Sequence, residues 1–206
     1  CGSGASLSAR GVVVSSPAKG QTIEIDVTEI EVLGQVLGGE NGEVGGKLYP
    51  MAKKQHSLEF LREIAHLRPR SKVFSSALRV RHAMSFAVHS FFNERGFVYV
   101  HTPLITAADC EGAGEQFVVT TMLPEHGKVS DIPKTSTGLI DFTKDFFSRR
   151  CCLTVSGQLN VETHACALSD VYTFGPTFRA ENSHTSRHLA EFWMIEPEVA
   201  FFDIND

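Results

Sequence analysis

Arg179 and Glu181 stand two residues apart in Phe178-Arg179-Ala180-Glu181, a run that reads as one strand of a hairpin. Side chains two apart on a strand project to the same face, so a cation and an acceptor would share one surface. A guanidinium stays charged at any working pH, and its planar fork holds a carboxylate and a phosphate oxygen at once. The chemistry this equips is stabilisation of charge on a reacting phosphate; the other reading is a cross-strand ion pair between Arg179 and Glu181. A polar loop from Asn182 to His188 follows, and Phe192-Trp193-Met194-Ile195 returns as the second strand. A phenylalanine in an apolar strand is more often core than a stacking surface, so Phe192 is open to both readings.

The elements that must position these residues follow from periodicity. Leu78, Val80, Ala83, Met84, Ala87, Val88 and Phe91 recur at helical spacing, which predicts a long amphipathic helix from Ser75, capped by Ser75 or Ser76 and ended by Gly96. Phe97-Val98-Tyr99-Val100 then reads as a strand running into His101-Thr102-Pro103. Proline cannot donate to a ladder, so this strand belongs at a sheet edge or a subunit interface. Leu153 to Ser156 is a short strand, Gln158 to Leu168 a helix and Val171 to Phe174 a strand, with the hairpin strands at Thr177 to Glu181 and Phe192 to Ile195. Residues 124–145 are polar and punctuated by Pro124, Gly127, Pro133 and Gly138, as in an insertion or long surface loop. Near the start, a Ser16–Gly20 turn separates Leu7–Val13 from Ile23, Ile25 and Val27, which alternate with Glu24 and Asp26. That alternation predicts a half-buried hairpin. The stretch from Gly38 to Gly46 has too many glycines to pack a core and marks a domain boundary.

With 42% hydrophobic side chains, 206 residues can bury a core of one large domain, or of one domain and part of a neighbour. A formal charge of −5 excludes a protein that coats nucleic acid generically. A polyanion would have to meet a local patch, and Lys47, Lys53, Lys54, Arg62, Arg68, Arg70, Lys72, Arg79 and Arg81 form one against only Glu59 and Glu63. It is either a solvated helix face or a phosphate-backbone contact. The five cysteines contain no Cys-x-x-Cys pair and no histidine at metal-site spacing, which argues against zinc. Their odd number without a signal peptide points to a reducing compartment, the cytoplasm, with an organelle left open. The first residue is Cys1 and the last, Asp206, follows an apolar run, so both ends read as cut from a longer chain.

The hairpin FRAENSHTSRHLAEFWMIEPE, residues 178–198, resembles motif 2 of the class II aminoacyl-tRNA synthetases, and GFVYVHTPLIT, residues 96–106, with the helix before it resembles motif 1. CEGAGEQF at 110–117 and LTVSGQLNVETHACALSDVYTFGPTFRAENS at 153–183 look like the asparaginyl branch of the aspartyl, asparaginyl and lysyl subgroup. The resemblance runs from about residue 5 to the end. It implies an α+β chain: the first part of an antiparallel-sheet catalytic domain at 75–206, a linker or hinge at 38–74, and the C-terminal part of an OB-fold anticodon-binding barrel at 1–37. The implied activity is ATP-dependent activation of L-asparagine as asparaginyl-adenylate, with Mg2+, and transfer to tRNA(Asn). Motif 1 implies a homodimer paired through the region of Pro103.

In the same scheme Arg179 is the catalytic cation at the α-phosphate, Glu181 accepts from the exocyclic amine of adenine, Arg187 and His188 lie near the triphosphate, and Phe192 stacks on the purine. Glu111, in the Glu111-Gly112-Ala113-Gly114-Glu115 loop, accepts from the α-ammonium of the amino acid, and Gln158 contacts it from the facing helix start. Glu196 faces the side chain, where a carboxylate takes the amide NH2 of asparagine and repels aspartate. Aspartyl relatives carry a lysine three residues after the glutamine, where Val161 stands. The family commonly has glycine at 161, tyrosine at 164 and asparagine at 184; here stand Val161, His164 and His184, and the valine is expected to crowd the pocket. Motif 3 and the acidic residues that carry most of the Mg2+ lie beyond this sequence, so no metal ligand is assigned and the piece alone is expected to be inactive. Rival readings are an aspartyl enzyme charging aspartate and asparagine tRNAs, a non-catalytic paralogue binding RNA or protein, and an ammonia-dependent ligase on the same fold.

Overall fold

The computed structural model describes residues 2–36, 49–51, 54–110, 112, 115–183, 185 and 187–206. The chain divides into two compact units, Cys1–His82 and Ala83–Asp206. The Gly38–Gly46 stretch, together with Lys47 and Lys53, lies outside the described residues.

In the first unit, β1 (Ser6–Ser15) and β2 (Ile23–Gly34) pair antiparallel about the turn expected at Ser16–Gly20. Their alternating apolar residues are exposed rather than half-buried: Val13 is 62% exposed, Ile23 59% and Ile25 52%. The physical reason is that a two-stranded ribbon has no second layer of its own to cover its apolar face. A short helix, α1 (Leu58–Glu63), capped by the Ser57 hydroxyl, stands where a linker was expected. Of the basic run, Arg62 pairs with Glu59 at 3.4 Å, Arg68 lies over the Phe74 ring, and Arg70 donates to the Tyr49 hydroxyl at 3.0 Å.

The long helix α2 (Lys72–Asn93) begins three residues before the expected start. Ser71, not Ser75 or Ser76, is at its head: the Ser71 carbonyl accepts from the Ser75 N–H at 2.9 Å and its hydroxyl from Phe74 at 3.4 Å. The expected stop is where it should be. Gly96 adopts φ +82°, a left-handed conformation that costs a residue without Cβ nothing. Phe97 N–H then reaches the Phe92 carbonyl at 3.0 Å and Gly96 N–H that of Asn93 at 3.1 Å, the paired bonds of a Schellman ending.

The second unit is mixed α+β. β7 (Asp170–Phe178) is the centre of a three-stranded sheet, pairing antiparallel with β8 (Glu191–Val199) and parallel with the edge strand β3 (Val98–Tyr99). A second, antiparallel sheet has the order β4 (Ile105–Thr106), β6 (Cys151–Leu153), β5 (Val118–Val119). α3 (Gln158–Leu168) packs against β7 and β8. Two strands expected at 171–174 and 177–181 are thus one strand that ends at Phe178, and the strand expected at 153–156 ends at Leu153. Pro176 does not break β7: Arg179 N–H turns to Ala190 on the β8 side and Phe178 N–H turns away to Thr154, so by alternation the Pro176 nitrogen also faces away from β8 and takes no donor from that ladder.

Val161 is fully buried with Val100, Ala165 and Val171 in the core between α3 and β7. The expectation that it crowds a substrate pocket is corrected: its side chain turns to the sheet, where the core encloses it completely. On the opposite face of the sheet, His89 and Phe92 of α2 meet Tyr99, Tyr172 and Phe174; the Phe92 and Tyr172 rings stack at 4.4 Å and His89 Nδ1 shares a hydrogen bond with the Tyr172 hydroxyl at 2.8 Å. Cys110, Cys151, Cys152 and Cys166 are free.

Residues 124–145 form turns and two short 3-10 helices, Val129–Asp131 and Phe142–Lys144. Their return to the sheet is tied by buried Asp145, whose Oδ1 accepts from the Thr121 N–H at 3.0 Å, the Thr121 hydroxyl at 2.9 Å and the Phe146 N–H at 2.8 Å. The Thr120 hydroxyl first, then these donors, hold its pKa at about 2, below the ordinary 3.8. A carboxyl whose folded pKa lies below its unfolded value contributes stability above the unfolded value and loses it as pH falls through the folded one. Stability of the protein should therefore fall between about pH 4 and pH 2 with a component that Asp145→Ala removes, and the variant should melt several degrees lower at neutral pH because its donors are left unpaired. Thermal melts of both proteins from pH 2 to pH 7 check this; parallel curves would refute it.

Candidate functional site

The β7–β8 ladder assigns side chains to faces. Val171 pairs with Glu198, Thr173 with Glu196, Gly175 with Met194 and Thr177 with Phe192, so all eight share one face. Along β8 the members of this face are half-buried and the alternate residues Glu191, Trp193, Ile195 and Pro197 are exposed. α3 covers the Val171 end of this face; further along, Thr173 and Thr177 are buried too, and Gly175 is half-buried.

At the Phe192 end of this face lies a cavity of about 540 Å3 lined by Phe117, Arg179, Glu181, Arg187, His188 and Phe192. It lies within the size range of small-molecule sites. All five residues expected at a nucleotide are thus together, although Arg179 and Glu181 are not strand neighbours on one face, since β7 stops before them. Their backbone is held otherwise: Arg179 N–H donates to the Ala190 carbonyl at 3.1 Å and Ala180 N–H to that of Glu115 at 2.8 Å. The Arg179 guanidinium stands 5.4 Å from the centre of the Phe192 ring, within cation–π range. His188 Nδ1 shares a short hydrogen bond with the Thr185 hydroxyl.

At the other end Glu196 lines a smaller cavity with Thr102, Thr154, Gly157 and Thr173. Its carboxylate is gripped by three donors: the Ser156 hydroxyl on Oε1, and on Oε2 the Gly157 N–H at 3.1 Å and the Thr173 hydroxyl at 2.9 Å. Gly157 approaches closely because it has no side chain; a Cβ there would lie 2.9 Å from Thr102 Oγ1 and 3.1 Å from the Thr173 side chain. Since Gly157 is also the first residue before α3, the carboxylate sits at the positive end of that helix.

Gln158, the first residue of α3, donates to Glu162 at 2.9 Å and receives the Cys110 thiol at 3.7 Å. Glu111 and His184 lie outside the described residues. Of the described residues beside Glu111, the Cys110 thiol meets Gln158 and the Glu115 carbonyl accepts from Ala180 N–H. Ser156, Gly157, Thr173 and Phe117 were missed by sequence reasoning. Register gives the signal for Thr173, which falls opposite Glu196 once the hairpin is aligned; the others depend on packing between distant segments.

The family described as tRNA synthetases class II (D, K and N) matches residues 57–206. The asparagine–tRNA ligase of Shewanella loihica is 57% identical over 203 residues, 98% of this chain and 41% of the relative, and that of Cytophaga hutchinsonii is 59% identical over the same shares. The chain therefore spans about two-fifths of the length of the curated relatives it matches. In fold it is similar to the asparaginyl-tRNA synthetase of Pyrococcus horikoshii complexed with asparaginyl-adenylate, with a TM-score of 0.68 at 24% identity over 97% of this chain and 38% of that one. The asparaginyl-tRNA synthetase of Entamoeba histolytica gives 0.67 at 21% identity over 97% and 39%.

Glu198 stands two residues past Glu196 on the same face, and burial first, then the charges of Glu162 and Glu196, push its pKa above the ordinary carboxylate value. A carboxyl with a raised folded pKa favours the folded state while protonated and weighs against it once pH rises through that pKa. Glu198→Gln should therefore raise the melting temperature at pH 7, and the gain should vanish near pH 4. Paired melts at the two pH values decide it: equal shifts at both would mean that charge is not the cause.

Proposed function

The chain belongs to the class II tRNA synthetases of the D, K and N group, and on that premise we propose that the protein carrying it activates L-asparagine with ATP and transfers it to tRNA(Asn) in the cytoplasm. The observation that carries the reading is one sheet face with Arg179 and Phe192 at a nucleotide-sized cavity and Glu196 at the far end. Phe192 and Glu196 are four residues apart on β8, a span of roughly 13 Å at strand rise, which separates an adenine from an amino-acid side chain.

In this reading the purine stacks on Phe192, Glu181 accepts from its exocyclic amine, and Arg187 and His188 meet the outer phosphates. The asparagine carboxylate attacks the α-phosphate in line, its bond to phosphorus forming as the bond to pyrophosphate breaks. Arg179 bridges the attacking carboxylate and a phosphate oxygen and stabilises the charge that develops there. Glu111 and Gln158 hold the α-ammonium end, and Glu196 accepts from the carboxamide. Mg2+ accompanies the nucleotide; the described residues contain no group of three His, Cys, Asp or Glu side chains placed to ligate it, and no step here runs through the metal.

Further parts of the proposal concern the rest of the chain. Residues 1–37 are the C-terminal part of an OB-fold barrel for the anticodon, 38–74 a hinge, and 75–206 the first part of the catalytic domain. α2 and the segment at Pro103 pair two subunits, since Leu78, Val80, Met84 and Phe86 are all at least half exposed on α2. The whole protein should sediment as a dimer at micromolar concentration; an active monomer would reject the pairing. For the chemistry, Arg179→Ala in the whole protein should lower asparagine-dependent pyrophosphate exchange by roughly a hundredfold or more, with partial recovery in Arg179→Lys. Near-normal exchange in the alanine variant would remove this hairpin from the α-phosphate.

A further inference from the structure

We infer that Ser156 and Thr173 are positioning residues for amino-acid selection, which with the Gly157 N–H hold the Glu196 carboxylate so that only Oε1 keeps an open acceptor position. The inference rests on the reading of Glu196 as the group that meets the substrate carboxamide. It begins from donor arithmetic. An ionised carboxylate offers about four lone-pair positions, two on each oxygen. Oε2 has both filled, by Gly157 N–H and the Thr173 hydroxyl, and Oε1 has one filled, by the Ser156 hydroxyl. One position remains, and it accepts only.

The direction of each bond is settled by its neighbours. The Ser156 oxygen already accepts from the Gln158 N–H at 3.1 Å, so its single proton goes to Glu196. The Ser156 carbonyl is held in turn by the Thr154 hydroxyl at 2.5 Å, which fixes the backbone that presents the hydroxyl. Thr173 is buried and directly opposite Glu196 in the ladder, which keeps its side chain beside the carboxylate. A carboxylate held on three sides cannot rotate to offer a different pattern. An asparagine NH2 supplies the donor that Oε1 lacks; an aspartate carboxylate supplies only acceptors and meets Glu196 with Glu198 and Glu162 close behind it. Selection then depends on orientation as well as on charge, and orientation is the work of Ser156 and Thr173.

The test uses the whole protein, with adenylate formation read by pyrophosphate exchange for asparagine and for aspartate. Thr173→Val keeps the shape and removes one donor. It should raise the asparagine KM by roughly ten- to a hundredfold, the effect of one hydrogen bond to a charged group, with kcat nearly unchanged and a lower asparagine-to-aspartate ratio of specificity constants. Thr173→Ser should restore both. Ser156→Ala should act in the same direction, and it decides the matter by the same two readouts if Thr173→Val does not fold. A purely structural role predicts equal losses for the two amino acids and no selective rescue by serine, and that result overturns the inference. Glu196→Gln is the control for the reading beneath it. If it lowers the ratio while Thr173→Val and Ser156→Ala leave it unchanged, Glu196 selects without these residues; if it leaves the ratio unchanged, the selector role fails and the inference with it.

Discussion

The register of β7 against β8 is the constraint on which the second unit depends. Side chains alternate with period two, so a slip of one residue would send Phe192, Glu196 and Thr173 to the opposite face. The register is secured from both sides. On one face Val171 packs with Val161 and Ala165 of α3; on the other Tyr172 and Phe174 pack with His89, Phe92 and Tyr99. Because each set fits only one face, apolar burial and the hydrogen-bonded ladder specify the same alignment.

That alignment also distributes charge along the face. Arg179 and Arg187 stand at one end, and Glu162, Glu196 and Glu198 gather at the other. A ligand with an anionic phosphate at one end and a hydrogen-bond donor at the other complements both. The carboxylates are not arranged alike: Glu196 is met by three donors, whereas Glu198 carries the cost of burial beside like charges. Burying a charge beside others is retained where the arrangement serves binding, at some expense of stability.

α3 links the core to the site. Its inward residues, Val161 and Ala165, are in the core, while its first turn presents Gly157 and Gln158 to Glu196 and Cys110. The same helix thus fixes the sheet at one end and the acceptor at the other, so a change in its packing would be felt at Glu196. Cys110 meets Gln158 at this helix start, and Glu115 meets Ala180 beside the hairpin, so described residues on both sides of Glu111 are bonded to the elements of the site.

Local patterns in the sequence determined a good deal. The helical repeat with Gly96 announced α2 and its left-handed stop, the alternation at Ile23, Ile25 and Val27 announced the first hairpin, and Gln158 to Leu168 read as the helix it is. The residues Arg179, Glu181, Arg187, His188 and Phe192 were legible as a group because a hairpin keeps them within 14 positions of one another, and family resemblance supplied their roles. Tertiary structure decided what locality could not. Whether Val161 faced a pocket or the core depended on which side of α3 the sheet lies, and whether the first hairpin was covered depended on a second layer that period-two alternation cannot supply. The grip on Glu196 joins residues up to 40 positions apart, from a loop, a helix start and a neighbouring strand. Residue types and spacing encode which groups can form hydrogen bonds; only the packed register decides which of them meet.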